Sequence, residues 1–208
     1  MYEKKEKTYF IIALWFWIMN LVVFFIMGIL YKKNVPHYNA LYYALFAAGI
    51  GIALCKDRSV KNLGLTGEKI KSSLVIAGII IAMAFLTSIF VSGLPVNRLL
   101  RGAVYYLFYI ALVEEVLYRG LIQSYLFGLD EDISIIFVIG ALMFAFMHVP
   151  FQMYVNNEVS FTYLFTAFPQ LVFTFCFHMV MCFITYKRKD IMIPIALHFA
   201  VDYIQAVL

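Results

Sequence analysis

The chain has 208 residues, of which 64% are hydrophobic, 18% aromatic and only 13% charged, against roughly 45–50% apolar residues in an ordinary soluble domain. That composition excludes a soluble protein and demands a bilayer, and a formal net charge of +4 spread over short loops beside hydrophobic runs reads as topology and anionic-lipid contact rather than nucleic-acid binding. Hydrophobic runs recur along the whole length without a separating linker, so residues 1–208 read as a single membrane domain.

The N-terminal MYEKKEK is charged and runs straight into an apolar stretch with no small-residue cleavage site, which predicts an uncleaved first span. A spanning helix needs roughly 17–25 mostly apolar residues. That test predicts an all-α, polytopic transmembrane bundle of about seven spans, with eight as the alternative: 9–30, 38–55, 73–92, 99–127, 133–148, 162–186 and 191–208. Ala47 and Gly51 form a small-x-x-x-small pair, a weak helix-contact signal. Residues 62–74 read as a turn followed by a helix start along the interface. Pro36, Pro95 and Pro150 fall at predicted ends, whereas Pro169 lies inside the sixth span and predicts a kink. Gly128 is a stop signal for the fourth helix. Cys55, Cys176 and Cys182 lack C-x-x-C spacing, so neither a disulfide framework nor a zinc knuckle is expected.

Lys and Arg are distributed unevenly between the two sides. Three precede the first span, five lie in 56–71 and three in 187–189, giving eleven on one side; Lys32, Lys33, Arg98 and Arg101 make four on the other. Positive residues gather on the cytoplasmic side. The N-terminus is therefore expected in the cytoplasm of a multi-pass cell-membrane protein.

Glu114, Glu115, Arg119, His148, His178, His198 and Asp202 fall inside predicted spans. An ionised side chain at mid-membrane costs roughly 2.5–3.5 kcal/mol on insertion scales, so such groups face a cavity or one another. Glu115 and Arg119 stand at i and i+4 on one helix face and can pair, while Glu114 points about 100° away without that counter-ion. Burial without a counter-charge is the setting in which a carboxyl accepts and returns protons. Glu114 is thus the candidate base. Phe144 and His148 share a face at i and i+4, as do His198 and Asp202. Three helices can present Glu114, His148 and the His198–Asp202 pair to one interior point. A glutamate with a histidine can activate water, and a second histidine with a polar partner can bind an oxyanion; the same set could instead hold a metal.

Simpler readings apply beside these. Glu115 and Arg119 read first as a packing pair. His178, with no polar companion at helical spacing, reads as a packing residue, and His37 lies in a loop. Tyr105, Tyr109 and Tyr118 read as lipid contact or bundle core.

Taken in order, E-E-x-x-x-R (Glu114, Glu115, Arg119), F-x-x-x-H (Phe144, His148) and H-x-x-x-D (His198, Asp202), each in its own helix, resemble the signature of the CPBP family. These are the CAAX-processing and bacteriocin-processing intramembrane proteases, also called the abortive-infection family and related to the Ras-converting CAAX endopeptidase. The resemblance covers about residues 99–208. It implies an intramembrane endopeptidase with its active site in an intramembrane cavity, acting on a peptide or membrane-protein substrate. Glu114 and His148 would activate water, and His198 with Asp202 would stabilise the oxyanion. Glu115 and Arg119 would order the site, with Phe144 packed beside it. The family's third motif commonly ends in Asn, whereas Asp202, when ionised, only accepts hydrogen bonds. Asp202 is then either protonated, or an acceptor that orients His198, or a metal ligand. Glu114, His148, His198 and Asp202 make a reasonable zinc ligand list, but the favoured mechanism needs no cofactor. The alternatives are a zinc-dependent version of the same protease, or a non-catalytic immunity or scaffold protein. A transporter or proton relay would predict inverted repeats, which the sequence lacks.

Overall fold

A computed structural model describes all residues, Met1–Leu208. Apolar backbone in lipid must satisfy its own polar groups, which leaves helices as the open-chain solution, and the chain forms helices with no strand. The seven apolar stretches become α1 (Lys7–Lys32), α2 (Ala40–Asp57), α3 (Ile70–Val91), α4 (96–126), α5 (Ile133–Val155), α6 (Phe168–Arg188) and α7 (Met192–Val207). Five of them, α1, α2, α3, α5 and α6, are long and apolar enough to cross a membrane; α7 is shorter. The fold is a polytopic helical bundle.

The helix faces follow residue size. On α3 the buried positions are Ser73, Ala77, Ala84 and Ser88, small side chains that allow close packing against α7. Its other face exposes Met83 and Phe90, apolar groups suited to lipid. On α2 the buried stripe is Tyr42, Leu45, Gly49 and Ala53. The small pair that meets a neighbour is therefore Gly49 and Ala53, one turn apart. Gly49 packs on Leu117 and Phe16, whereas Gly51 has open space around it, so the Ala47–Gly51 pair is not the contact.

Two prolines act differently from each other and from expectation. Pro150 has no N–H and crowds the carbonyl four residues back, and α5 breaks at His148 before continuing to Val155. Pro169 sits in the first turn of α6 rather than inside it. The sixth stretch is split at Ala167 into a short turn, Tyr163–Thr166, and α6, so there is a helix start where a kink was predicted. Gly128 does follow the end of α4, and a Cβ there would press on the Glu6 carbonyl and the Phe10 amide of the α1 start.

α4 is the least regular helix. α-Helical turns at Val96–Val104, Leu112–Glu115 and Gln123–Leu126 alternate with π-helical stretches at Tyr105–Ala111 and Val116–Ile122. Every residue from Val113 to Phe127 is buried, so α4 forms the axis of the bundle.

The N-terminus and the loops after α2, α4 and α6 meet at one end. Lys5 donates its backbone N–H to the Phe127 carbonyl at 3.0 Å, Ile191 does so to the Gly64 carbonyl at 3.1 Å, and Lys189 Nζ reaches the Met1 carbonyl at 3.3 Å. All eleven Lys and Arg of the more basic side lie at or near this end. Here the chain departs from a simple charged flank. Met1 and Tyr2 are buried, with the Tyr2 ring stacked on Phe127 and its hydroxyl donating to the Arg119 carbonyl at 3.1 Å.

Candidate active site

The single α-helical turn between the two π stretches of α4 carries Glu114 and Glu115; π segments inside α-helices recur at functional sites. Glu115 and Arg119 are both fully buried, with Arg119 Nη1 donating to Glu115 Oε1 at 2.6 Å. The i, i+4 pairing holds although the intervening turn is π-helical. The same Glu115 oxygen also lies 2.7 Å from His198 Nδ1 of α7. A carboxylate only accepts, so Nδ1 carries the proton and the ring is fixed with Nε2 toward Glu114 and Asp202.

Glu114 takes the other direction. Its Oε2 lies 3.7 Å from His148 Nε2 and 3.7 Å from His198 Nε2, and has no hydrogen-bond partner in the protein. His198 Nε2 is also 3.4 Å from Asp202 Oδ2. The break of α5 at His148 turns that imidazole into the same space. Side-chain exposure rises outward, from 9% at Glu114 and 7% at His198 to 21% at His148 and 29% at Asp202. The structure thus brings Glu114, His148, His198 and Asp202 around one point and holds Glu115 and Arg119 directly behind it.

Phe144 is the hub of the wall. Its ring meets His148 edge-on with centroids 5.4 Å apart, Tyr118 at 5.2 Å and His178 at 5.0 Å. The Arg119 guanidinium lies over it at 4.2 Å, a cation–π contact that strengthens when desolvated.

The space these groups line is a cavity of about 780 Å³. Phe144, Phe173, Phe177 and Val201 supply its apolar wall, and Gln152, Gln170, Thr174 and Gln205 join the four central residues as its polar lining. No group of three or more His, Cys, Asp or Glu side chains is placed to hold a metal ion.

Several residues in and around the site escaped the sequence reading. Gln123 lies one turn beyond Arg119 in the stripe 115, 119, 123, which could have marked it. Its side-chain oxygen accepts from His178 Nε2 at 3.1 Å and its amide N–H donates to the Ile136 carbonyl at 3.1 Å. His178 therefore has a polar companion, but on another helix, where periodicity along α6 cannot reveal it. Gln205 extends the face of His198 and Asp202 in the same way. Tyr42 of α2 is buried beside Glu114 with its hydroxyl unpartnered, and no spacing on its own helix pointed to it. Tyr118 is buried core as expected, whereas Tyr105 and Tyr109 are exposed toward lipid.

The family description "Type II CAAX prenyl endopeptidase Rce1-like" matches residues 95–204. The chain belongs to this Rce1-like family. The match covers more than half of the chain and includes all of Glu114, Glu115, Arg119, Phe144, His148, His198 and Asp202. It starts just before α4 and ends within the last turn of α7, agreeing with the extent of the resemblance read from the three motifs. No curated protein and no solved structure matches the chain. The protein is thus an Rce1-like member of a membrane protease family, with the cavity at its motif-bearing helices.

Proposed function

We propose that the protein is an intramembrane endopeptidase that hydrolyses a peptide bond at the Glu114–His148–His198–Asp202 cavity without a cofactor, and that its N-terminus is cytoplasmic. The observation that carries this reading is the pair of 3.7 Å approaches to Glu114 Oε2, from His148 Nε2 and His198 Nε2, with that oxygen otherwise unpartnered. It is a carboxylate held for proton transfer, beside a second one, Glu115, already committed to Arg119 and His198.

In this mechanism Glu114 takes a proton from a water positioned with His148. The hydroxide adds to the peptide carbonyl carbon, and the carbonyl π electrons move to oxygen. His198, donating to Glu115 through Nδ1, offers a proton on Nε2 to that oxyanion, with Asp202 as the second group of the oxyanion site. Collapse of the intermediate breaks the C–N bond, and Glu114 returns its proton to the leaving nitrogen. Preorganised donors aimed at developing charge supply much of the rate in such reactions. The basic end of the bundle supports the cytoplasmic placement of the N-terminus.

The test is cleavage of a quenched-fluorescent peptide library by detergent-purified protein. Glu114→Gln and His148→Ala should each lower turnover about 10²–10⁴-fold, the usual worth of a positioned acid–base group, at unchanged melting temperature. Wild-type rates in both variants would overturn the mechanism.

A further inference from the structure

A second cavity, of about 360 Å³, lies at the basic end of the bundle and shares no residue with the Glu114 cavity. Lys61 and Lys69, from the segment between α2 and α3, line it together with Lys187, Arg188 and Lys189 from the end of α6. Two carboxylates share the wall, Glu3 and Glu68, and both are exposed. None of the five cations forms an ion pair. Like charges gathered around one concavity repel each other, and an anion seated among them relieves that cost.

Three of these cations are fixed by neutral groups. Arg188 Nε donates to Ser73 Oγ at 3.0 Å, and Nη2 donates to Ser72 Oγ and, at 3.4 Å, to the Lys69 carbonyl. Nη1 makes no hydrogen bond within the protein. Ser73 in turn donates to Asp190 Oδ2 at 2.7 Å, while Asp190 Oδ1 takes the Met192 N–H at 3.2 Å. Ser73 and Asp190 are both fully buried. The buried carboxylate thus orients the guanidinium through a serine and does not neutralise it by direct contact. Lys69 Nζ reaches the Lys187 carbonyl at 3.4 Å, and Lys189 Nζ the Met1 carbonyl at 3.3 Å. Gly67 lets the two segments close on each other, since a Cβ there would stand 3.1 Å from the Lys189 carbonyl.

We propose that this pocket binds a phosphate group, the headgroup phosphate of an anionic phospholipid being the source that its position fits. The open Nη1 of an oriented Arg188, the ammonium groups around it and the Thr66 hydroxyl in the same wall match the several acceptor oxygens of a phosphate. Basic pockets between transmembrane helices are sites of this kind. α3 begins at Ile70 and α6 ends at Arg188, and both are long and apolar enough to cross a membrane. The pocket therefore sits at the ends of two spans, the depth of the headgroup layer. Within the adjoining turn Leu74 and Val75 of α3 and Phe183 of α6 are exposed, apolar surface along which acyl chains can lie. Recognition at this site is independent of the chemistry at Glu114 and of the side of the membrane that this end faces.

Native mass spectrometry of the detergent-purified full chain, titrated with phosphatidylglycerol or phosphatidylcholine, tests the site. The wild type should hold one phosphatidylglycerol about 10-fold more tightly than phosphatidylcholine. Lys61→Gln combined with Lys187→Gln removes two exposed ammonium groups that hold no carbonyl of the protein. At the usual worth of a basic residue near anionic lipid, that pair should weaken phosphatidylglycerol binding about 10–30-fold. Arg98→Gln combined with Arg101→Gln removes the same charge at the other end of the bundle and should leave the affinity unchanged. Equal losses in the two double variants would show diffuse attraction and overturn the proposal. Calorimetry with inorganic phosphate separates the sources. Lipid retention without phosphate binding assigns the headgroup, and phosphate binding that the Lys61 and Lys187 double variant loses assigns a soluble phosphate at the same site. A wild type that neither prefers phosphatidylglycerol nor binds phosphate overturns the proposal.

Discussion

The Nδ1 of His198 lies 2.7 Å from Glu115 Oε1, the same oxygen that accepts from Arg119 at 2.6 Å. One buried carboxylate oxygen thereby ties α7 to α4 and sets the tautomer and rotation of the ring whose other nitrogen faces the cavity. Glu115 is a positioning residue for His198, in addition to half of an ion pair.

Replacing Glu115 should therefore act through His198. Glu115→Gln keeps the volume but leaves Arg119 without its counter-charge and permits the amide to present N–H to Nδ1. Turnover is expected to fall about 10–100-fold, the usual effect of disturbing a group that orients a functional histidine, with KM little changed. A loss confined to KM would show that Glu115 contacts substrate instead.

In the proposed mechanism Asp202 is the second group of the oxyanion site, 3.4 Å from His198 Nε2. Asp202→Asn supplies a permanent N–H and should retain activity within about 10-fold, whereas Asp202→Ala should lose about 10²–10³-fold, the cost of removing one oxyanion donor. Equal rates for the Asn and Ala variants would remove Asp202 from that role.

Because the proposed mechanism routes no step through a metal, cleavage by protein dialysed against a strong chelator should match the untreated rate. Metal analysis of the active preparation should find no stoichiometric zinc. A chelator-sensitive rate restored by added zinc would require the four central residues to rearrange into a coordination shell.

His178 and Gln123 form a buried pair across α6 and α4. His178→Ala leaves the Gln123 carbonyl unpaired and opens space beside Phe144, so stability should drop by about 1–3 kcal/mol, the penalty for stranding a buried polar group. Thermal unfolding in detergent reads this directly, and turnover per folded molecule should change much less than in the Glu114 variant. Loss of turnover without loss of stability would move His178 into the reaction.

Much of this architecture is legible from spacing alone. The seven apolar stretches become helices because length and hydropathy decide that outcome locally, and the i, i+4 pairs Glu115–Arg119 and His198–Asp202 meet as written. What spacing cannot supply is the third party. Glu115 bridging to His198, Gln123 meeting His178, and Tyr42 standing beside Glu114 each join different helices, and their geometry depends on how the bundle packs. Pro169 illustrates the other limit. A proline inside an apolar run kinks one helix or begins a new one, and the choice fell to the break at Ala167.

The two π-helical stretches of α4 bear on how this helix accepts changes in length. A π turn holds one residue more than an α turn, so each stretch is a place where a single-residue deletion can relax to ordinary helix without breaking the chain. Removing one residue from Tyr105–Ala111 would return that stretch to α-helical winding and leave the turns on either side in register. Glu114 would keep its bearing on His148 and His198, and Arg98 and Arg101 would keep theirs. A deletion between Val116 and Tyr118 would instead bring Arg119 from i+4 to i+3 of Glu115, still on the same face but with the geometry of the buried pair changed. The same edit is thus mild on one side of the glutamate turn and felt directly by the site on the other.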